Sequence, residues 1–327
     1  MRRRAFVVGV AATVALLRPT HHTRAQAKVY RIGFLGGSFD AALWSSFLDG
    51  LSEHGWRQGH NLVVEGRWAE ARPERYIELA SELVSLKMDV IVAAAPPAVR
   101  ALQQATGTTP IIMIAVADPV EMGFIKSLAE PGGNITGVAS LAGPSIIFKL
   151  LELTKDALPS AKIVGILFNE GNPLNYVTAA APQILAAAKP LGLELLWLPV
   201  RTVDDLKPAL ATAKQRGANA IIGSGDPLLF AEREFINDAA ESNGLPTVWG
   251  PREYLSGRGL LSYGPTFRGM LRQAAVYVDR VLRGAKPATM PVEQPTRYDL
   301  VLNLKTAKDL GLTIPAAFLS RADEVIE

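Results

Sequence analysis

Residues 110–140 read PIIMIAVADPVEMGFIKSLAEPGGNITGVAS, and the way this stretch divides decides the fold. Residues 110–116 form an unbroken apolar run of strand length. Asp118 and Pro119 follow, a pair that suits the start of a helix, so a helix is expected from Pro119 to about Leu128. Pro131-Gly132-Gly133-Asn134 then interrupts the pattern, and residues 135–140 resume as extended chain. Upstream, strand-length apolar runs at 29–35, 62–68 and 89–94 alternate with helix-length segments at 41–53, 73–86 and 98–105. Strands that are apolar throughout are buried on both faces, as in a parallel sheet covered by helices.

Downstream, a helix is expected from about Pro144, and the alternation starts again at Lys162. Strands are expected at 163–168, 193–198, 218–224 and 246–249, with helices at 179–189, 203–215 and 228–242. The chain therefore repeats its own topology as two βαβα halves. The last quarter holds a strand at 259–263, a helix at 268–283 ended by Gly284, and a strand at 298–302. A closing helix follows, with Asn303 as its cap and Gly311 past its end. These pieces are too short to fold alone and are expected to complete the two earlier sheets. The fold class is α/β: two Rossmann-like parallel-sheet lobes joined by a multi-strand hinge. One lobe takes residues 28–142 plus about 264–295, the other 143–263 plus about 296–327.

The first 27 residues have the three-part pattern of a secretory signal. Arg2, Arg3 and Arg4 precede an apolar stretch over 5–17, and Ala25-Gln26-Ala27 places cleavage near Ala25 or Ala27. The apolar stretch is shorter than the roughly 20 residues of a membrane span. Arg3-Arg4-Ala5-Phe6-Val7 also fits a twin-arginine signal, so both export routes stay open. Five of the 34 basic residues and none of the 31 acidic ones lie in this segment, leaving 29 against 31 and a net charge of −2. Without a basic patch, nucleic acid and anionic membranes are excluded as partners. The chain has no cysteine, so an exported form has neither disulfides nor a lipid-attachment thiol. A free periplasmic monomer is expected, and its 300 residues exceed one ordinary core.

Beyond the signal only His54 and His60 are histidines, both at the end of the sheet opposite the one where ligands bind. Without cysteine, and with no histidine near the cleft, metal sites and Ser-His or Cys-His nucleophile systems lose their groups; no catalytic residue, metal or cofactor is expected. Gly36-Gly37-Ser38 and Gly223-Ser224-Gly225 each follow a strand, as tight turns or as loops that let the backbone approach a ligand. Asp118 and Asp226 each follow a strand and precede a helix-opening proline, which suits an N-cap, a cationic ligand group, or both. Ser38, Asn169 and Asn172 suit either turn chemistry or a cleft. Trp44, Trp56 and Trp197 read as core, whereas Trp249 and Tyr263, near strand ends, read as cleft-lining rings.

Six stretches carry a resemblance: Ile32-Gly33-Phe34-Leu35, Asp118-Pro119-Val120, residues 131–138, Ser262-Tyr263-Gly264-Pro265, residues 303–308 and residues 321–327. In this order, over nearly all the chain beyond the signal, the sequence resembles the ABC-transporter substrate-binding family that includes tryptophan- and tyrosine-binding proteins. The resemblance implies the periplasmic binding protein type I fold, with ligand closed between two hinged lobes. It implies cleft positions for Ser38 and Asp118 from one lobe and for Asn169 and Asp226 from the other. Ala95 and Pro96 lie in a loop that often supplies contacts; Ala95-Pro96-Pro97 departs there from the small hydroxylated residues expected.

The implied function is the solute-binding component of an ABC importer, taking an amino acid or an aromatic or carboxylate compound. A ligand carboxylate is expected at helix N-termini, and an ammonium at Asp118 or Asp226. Lobe closure then presents a surface to the permease subunits. A periplasmic sensor subunit with the same fold is the alternative.

Overall fold

The computed structural model describes residues 28–70, 72–140 and 144–327; the expected export signal and its cleavage site lie outside them. The first layer is built from β1 (Tyr30–Gly36), α1 (Ala41–Glu53), β2 (Leu62–Trp68), α2 (Arg75–Ser85), β3 (Val90–Ala94), α3 (Pro96–Ala105), β4 (Ile111–Val116) and β5 (Ile135–Ala139). Its strands run parallel in the order β2-β1-β3-β4-β5. The second layer opens with α4 (Pro144–Ala157), β6 (Ile163–Asn169), α5 (Tyr176–Ala179), α6 (Ala181–Ala188), β7 (Glu194–Val200), α7 (Leu206–Gln215) and β8 (Ala220–Gly223). It continues with α8 (Pro227–Ala231), α9 (Arg233–Ser242), β9 (Thr247–Trp249) and β10 (Leu261–Gly264). After α10 (Phe267–Leu282) come β11 (Asp299–Asn303), α11 (Leu304–Asp309), α12 (Ala316–Leu319) and β12 (Glu324–Ile326). The second sheet has the order β12-β11-β10-β9-β8-β6-β7, and only the β10–β11 pair is antiparallel.

Each sheet is buried on both faces, which is why β3 and β4 show no polar alternation. Leu35, Ile91, Ile111 and Met113 face one side of the first sheet; Ile32, Val90, Val92 and Ile112 face the other. Helix α10 follows β10 of the second sheet but packs on the first. Its Met270, Leu271, Ala274, Ala275 and Val278, spaced three and four apart, join Phe47 and Leu51 of α1 in one core. The chain thus returns to the first layer with a helix and then leaves it for β11.

Three expectations need correction. Residues 119–124 form successive turns, with Met122 N–H donating to the Asp118 carbonyl and Phe124 N–H to that of Pro119. Gly123 at φ 70° stops any helix there, and the adjacent Phe124 and Ile125 both enter the core from this irregular segment. The segment expected as one helix over 228–242 is two, α8 and α9, meeting at Glu232. The late strands all join the second sheet, while the first is joined by α10, by Met290 and Val292 in its cores, and by a single bridge, Val138 to Glu293. Among the described residues no helix is long and apolar enough to cross a membrane.

Candidate functional site

The segments that follow β1, β3, β4 and β5 face those that follow β6, β8, β9 and β10, and a cavity of about 180 Å³ lies between them. At roughly 10–15 Å³ per water-sized group, it has room for about a dozen such groups. Its wall is mostly apolar and rich in rings. Phe34, Trp44 and Trp68 come from the first layer, and Tyr176, Phe230 and Tyr254 from the second. Trp44 sits in the first turn of α1 and Trp68 ends β2; their rings meet edge to face at 5.4 Å, and Phe34 meets Trp44 at 5.7 Å. Such a corner holds a flat ligand by stacking and edge contacts.

Asp226 is the buried charge of the wall. It caps α8, with Oδ1 accepting from Leu228 N–H at 2.8 Å and from Asn169 Nδ2 at 3.0 Å. Its Oδ2 accepts from Asn172 Nδ2 at 2.8 Å. Burial pushes its pKa above the usual carboxylate range, and the amide and backbone donors oppose that rise. Desolvation, with a smaller contribution from the Asp226 charge, likewise pushes the Tyr76, Tyr176 and Tyr254 hydroxyls up. Ser38 and Ser140 both line the cavity, and each has a buried Oγ without a hydrogen-bond partner. Among the described residues no three His, Asp or Glu side chains cluster as metal ligands would.

Two contacts bring the layers together. Asp40 caps α1 with Oδ1, at 3.0 Å from Ala42 N–H and from Leu43 N–H, while its Oδ2 accepts from Arg233 Nη2 of α9 at 2.7 Å. The Arg233 guanidinium also lies over the Phe230 ring at 4.2 Å. Gly37 approaches Pro227 so closely that a Cβ there would stand 2.9 Å from the proline Cβ.

Of the residues picked out in the sequence, Ser38, Ala95, Pro96 and Asp226 line the cavity. Asn169 is 3% exposed and stands behind it, holding Asp226 through the bond above. Ala95 adopts φ 75°, ψ 158° at the start of α3, a region essentially confined to glycine and costing about 1–3 kcal/mol. Asp118 is exposed and does not line the cavity, and its carboxylate has no partner among the described residues. With no helix after Pro119 there is no N-terminus to cap, and a left-handed φ of 44° accompanies the turn. Trp249 is fully buried, not cleft-lining: Nε1 donates to Asn237 Oδ1 at 2.9 Å, and the ring stacks on Tyr254 at 5.0 Å. It crosses β8 at Gly223, where a Cβ would lie 1.9 Å from the indole. Tyr263 also turns away from the cavity and packs beside Tyr298, ring centroids 5.7 Å apart. Conversely Trp44, expected in the core, lines the cavity, as does Trp68, whose position at the carboxyl end of a strand was the available signal.

The comparisons with known proteins agree with this fold. The chain is 27% identical over 266 residues to a tyrosine-binding protein of Clostridioides difficile, covering 81% of this chain and 75% of that one. An ABC domain from Streptococcus pneumonia, solved in complex with L-Trp, superposes with a TM-score of 0.82 at 26% identity, over 91% of this chain and all of that one. A conserved domain protein from Vibrio cholerae gives 0.83 at 28% identity, over the same shares. A family model for ABC transporter substrate binding proteins matches residues 34–326, and the chain belongs to that family.

Proposed function

We propose that this protein binds a small aromatic compound between its two layers and delivers it to the permease of an ABC importer. The observation that carries this reading is the ring-lined cavity formed jointly by the carboxyl ends of both sheets. Ligands of open α/β sheets bind at that end, and a site shared by two layers couples binding to their closure. The similar proteins described as tyrosine-binding and as bound to L-Trp support an aromatic ligand. Residues 28–142 with about 264–295 make one lobe, and 143–263 with about 296–327 the other. The seating of α10 on the first sheet and of β11 and β12 on the second supports that division. The charged, apolar and small-residue pattern of residues 1–27 supports export to the periplasm, where the protein acts as a monomer.

Calorimetry of residues 28–327 with an aromatic panel tests the reading. Trp44→Ala and Trp68→Ala should each weaken binding at least tenfold while the fold, read by circular dichroism, is kept. Affinity unchanged in both variants would remove the cavity from the function.

A further inference from the structure

The charges and donors around the cavity narrow the ligand further, given the reading that the cavity is the binding site. Two carboxylates line it, Asp40 and Asp226. Asp40 is neutralised by Arg233 across the layers. Asp226 has only amide and backbone donors as partners, so its charge has no cationic counterpart among the described residues. Its Oδ2 accepts from Asn172 Nδ2, and a carboxylate oxygen has capacity for a further donor from a ligand. No lysine or arginine occurs among the described residues that line the cavity.

An anionic ligand group would need backbone N–H groups instead, and four of the helix starts near the cavity have some of theirs taken or missing. Helix α1 has its first free N–H groups filled by Asp40. Helix α3 begins Pro96-Pro97, two residues without an N–H. Helix α8 begins with Pro227, and its next N–H is taken by Asp226. Asn175 occupies the start of α5 in the same way. The side-chain groups without a partner there are neutral: the Ser38, Ser140 and Tyr176 hydroxyls. Burying a carboxylate beside Asp226 with no cation to offset it is costly, whereas a ligand ammonium would pair with the Asp226 carboxylate and favour its ionised form.

We propose that the cavity selects an aromatic amine: a flat apolar body carrying one ammonium, directed to Asp226, and no carboxylate. The rings of Trp44 and Trp68 take the body, and the Ser38 and Ser140 hydroxyls accommodate a neutral polar substituent. The α-amino acids bound by similar proteins have the ammonium but bring a carboxylate that this wall is not built to receive.

The test is calorimetry on two matched sets: tryptophan, tryptamine and indole-3-propionate; tyrosine, tyramine and 3-(4-hydroxyphenyl)propionate. In each set the amine should bind at least tenfold more tightly than the amino acid, with the acid weakest. Asp226→Asn should abolish the amine's advantage. Should that variant fail to fold, the wild-type ranking alone decides. An amino acid or acid that binds as tightly as its amine overturns the proposal. If Ser38→Trp, which fills the cavity, blocks that binding, the cavity remains the site and only the ligand class falls. If Ser38→Trp leaves every affinity unchanged, or if no probe binds, the cavity reading falls and the ligand class with it.

Discussion

Ala95 shows how much a single residue can reveal at this site. Its left-handed φ of 75° is imposed by the turn from β3 into Pro96, and a side chain there is strained in a way that glycine is not. Ala95→Gly should therefore stabilise the ligand-free protein by about 1 kcal/mol in urea unfolding, since relief of strain exceeds the added entropy of the unfolded chain. Asp226 makes a second prediction, of pH dependence. Burial raises its pKa in the folded state, so the folded protein holds that proton more tightly than the unfolded chain does. Its contribution to stability is complete below the ordinary carboxylate pKa of about 4 and is lost as pH rises through the raised value. In Asp226→Asn the curve of stability against pH should be flatter across that window. Glu253, whose pKa burial also raises, is common to both proteins and drops out of the comparison. Identical slopes would show that the Asp226 carboxylate is not desolvated in solution.

At the scale of elements, caps and buried amides decide what propensity leaves open. Asn303 caps α11 by accepting from Thr306 N–H at 3.1 Å, and its Nδ2 donates to the Gly257 carbonyl. That start was legible in the sequence because an Asn before a short amphipathic segment has few other uses. Asn237 was not legible. It lies inside α9, 1% exposed, donating to the Tyr254 and Leu255 carbonyls and accepting from Thr247 Oγ1 and Trp249 Nε1. It thereby ties α9 to β9 and to the turn after it. Asn237→Ala should cost about 3 kcal/mol in urea unfolding, because several buried polar groups lose their partners at once. A cost below about 1 kcal/mol would mean that water replaces the amide. The expected helix after Pro119 failed for a related reason: Phe124 and Ile125 find apolar space as neighbours in an irregular segment, and that tertiary gain outweighs local helix signals.

For the whole molecule, the question is what holds the two layers in their observed relation. The Asp40–Arg233 pair joins residues 193 apart, with side chains 19% and 16% exposed. It therefore suffers less solvent screening than a surface pair. Arg233→Met removes it and leaves the Asp40 cap of α1 intact. Ligand should then dissociate roughly tenfold faster in stopped-flow experiments, about 1.4 kcal/mol of lost closure energy, with association little changed. An unaltered dissociation rate would assign closure to the apolar contacts and the ligand alone. The close approach of Gly37 to Pro227 marks the same seam: a larger side chain there has no room while the layers are together.

The sequence by itself determined the two-layer α/β plan, because fully apolar strand runs alternating with amphipathic segments have few other ways to bury both faces. Strand ends and the family resemblance together pointed to Ser38, Ala95, Pro96 and Asp226, which line the cavity. Only the tertiary structure decided which way the rings point. Trp249 ends a strand and Trp44 lies in the first turn of a helix, yet the first crosses Gly223 into the core and the second faces the cavity. That choice depends on the space left by a residue far away in the chain, which no local pattern records. The partnership of Asp40 with Arg233 is likewise a property of two layers brought together.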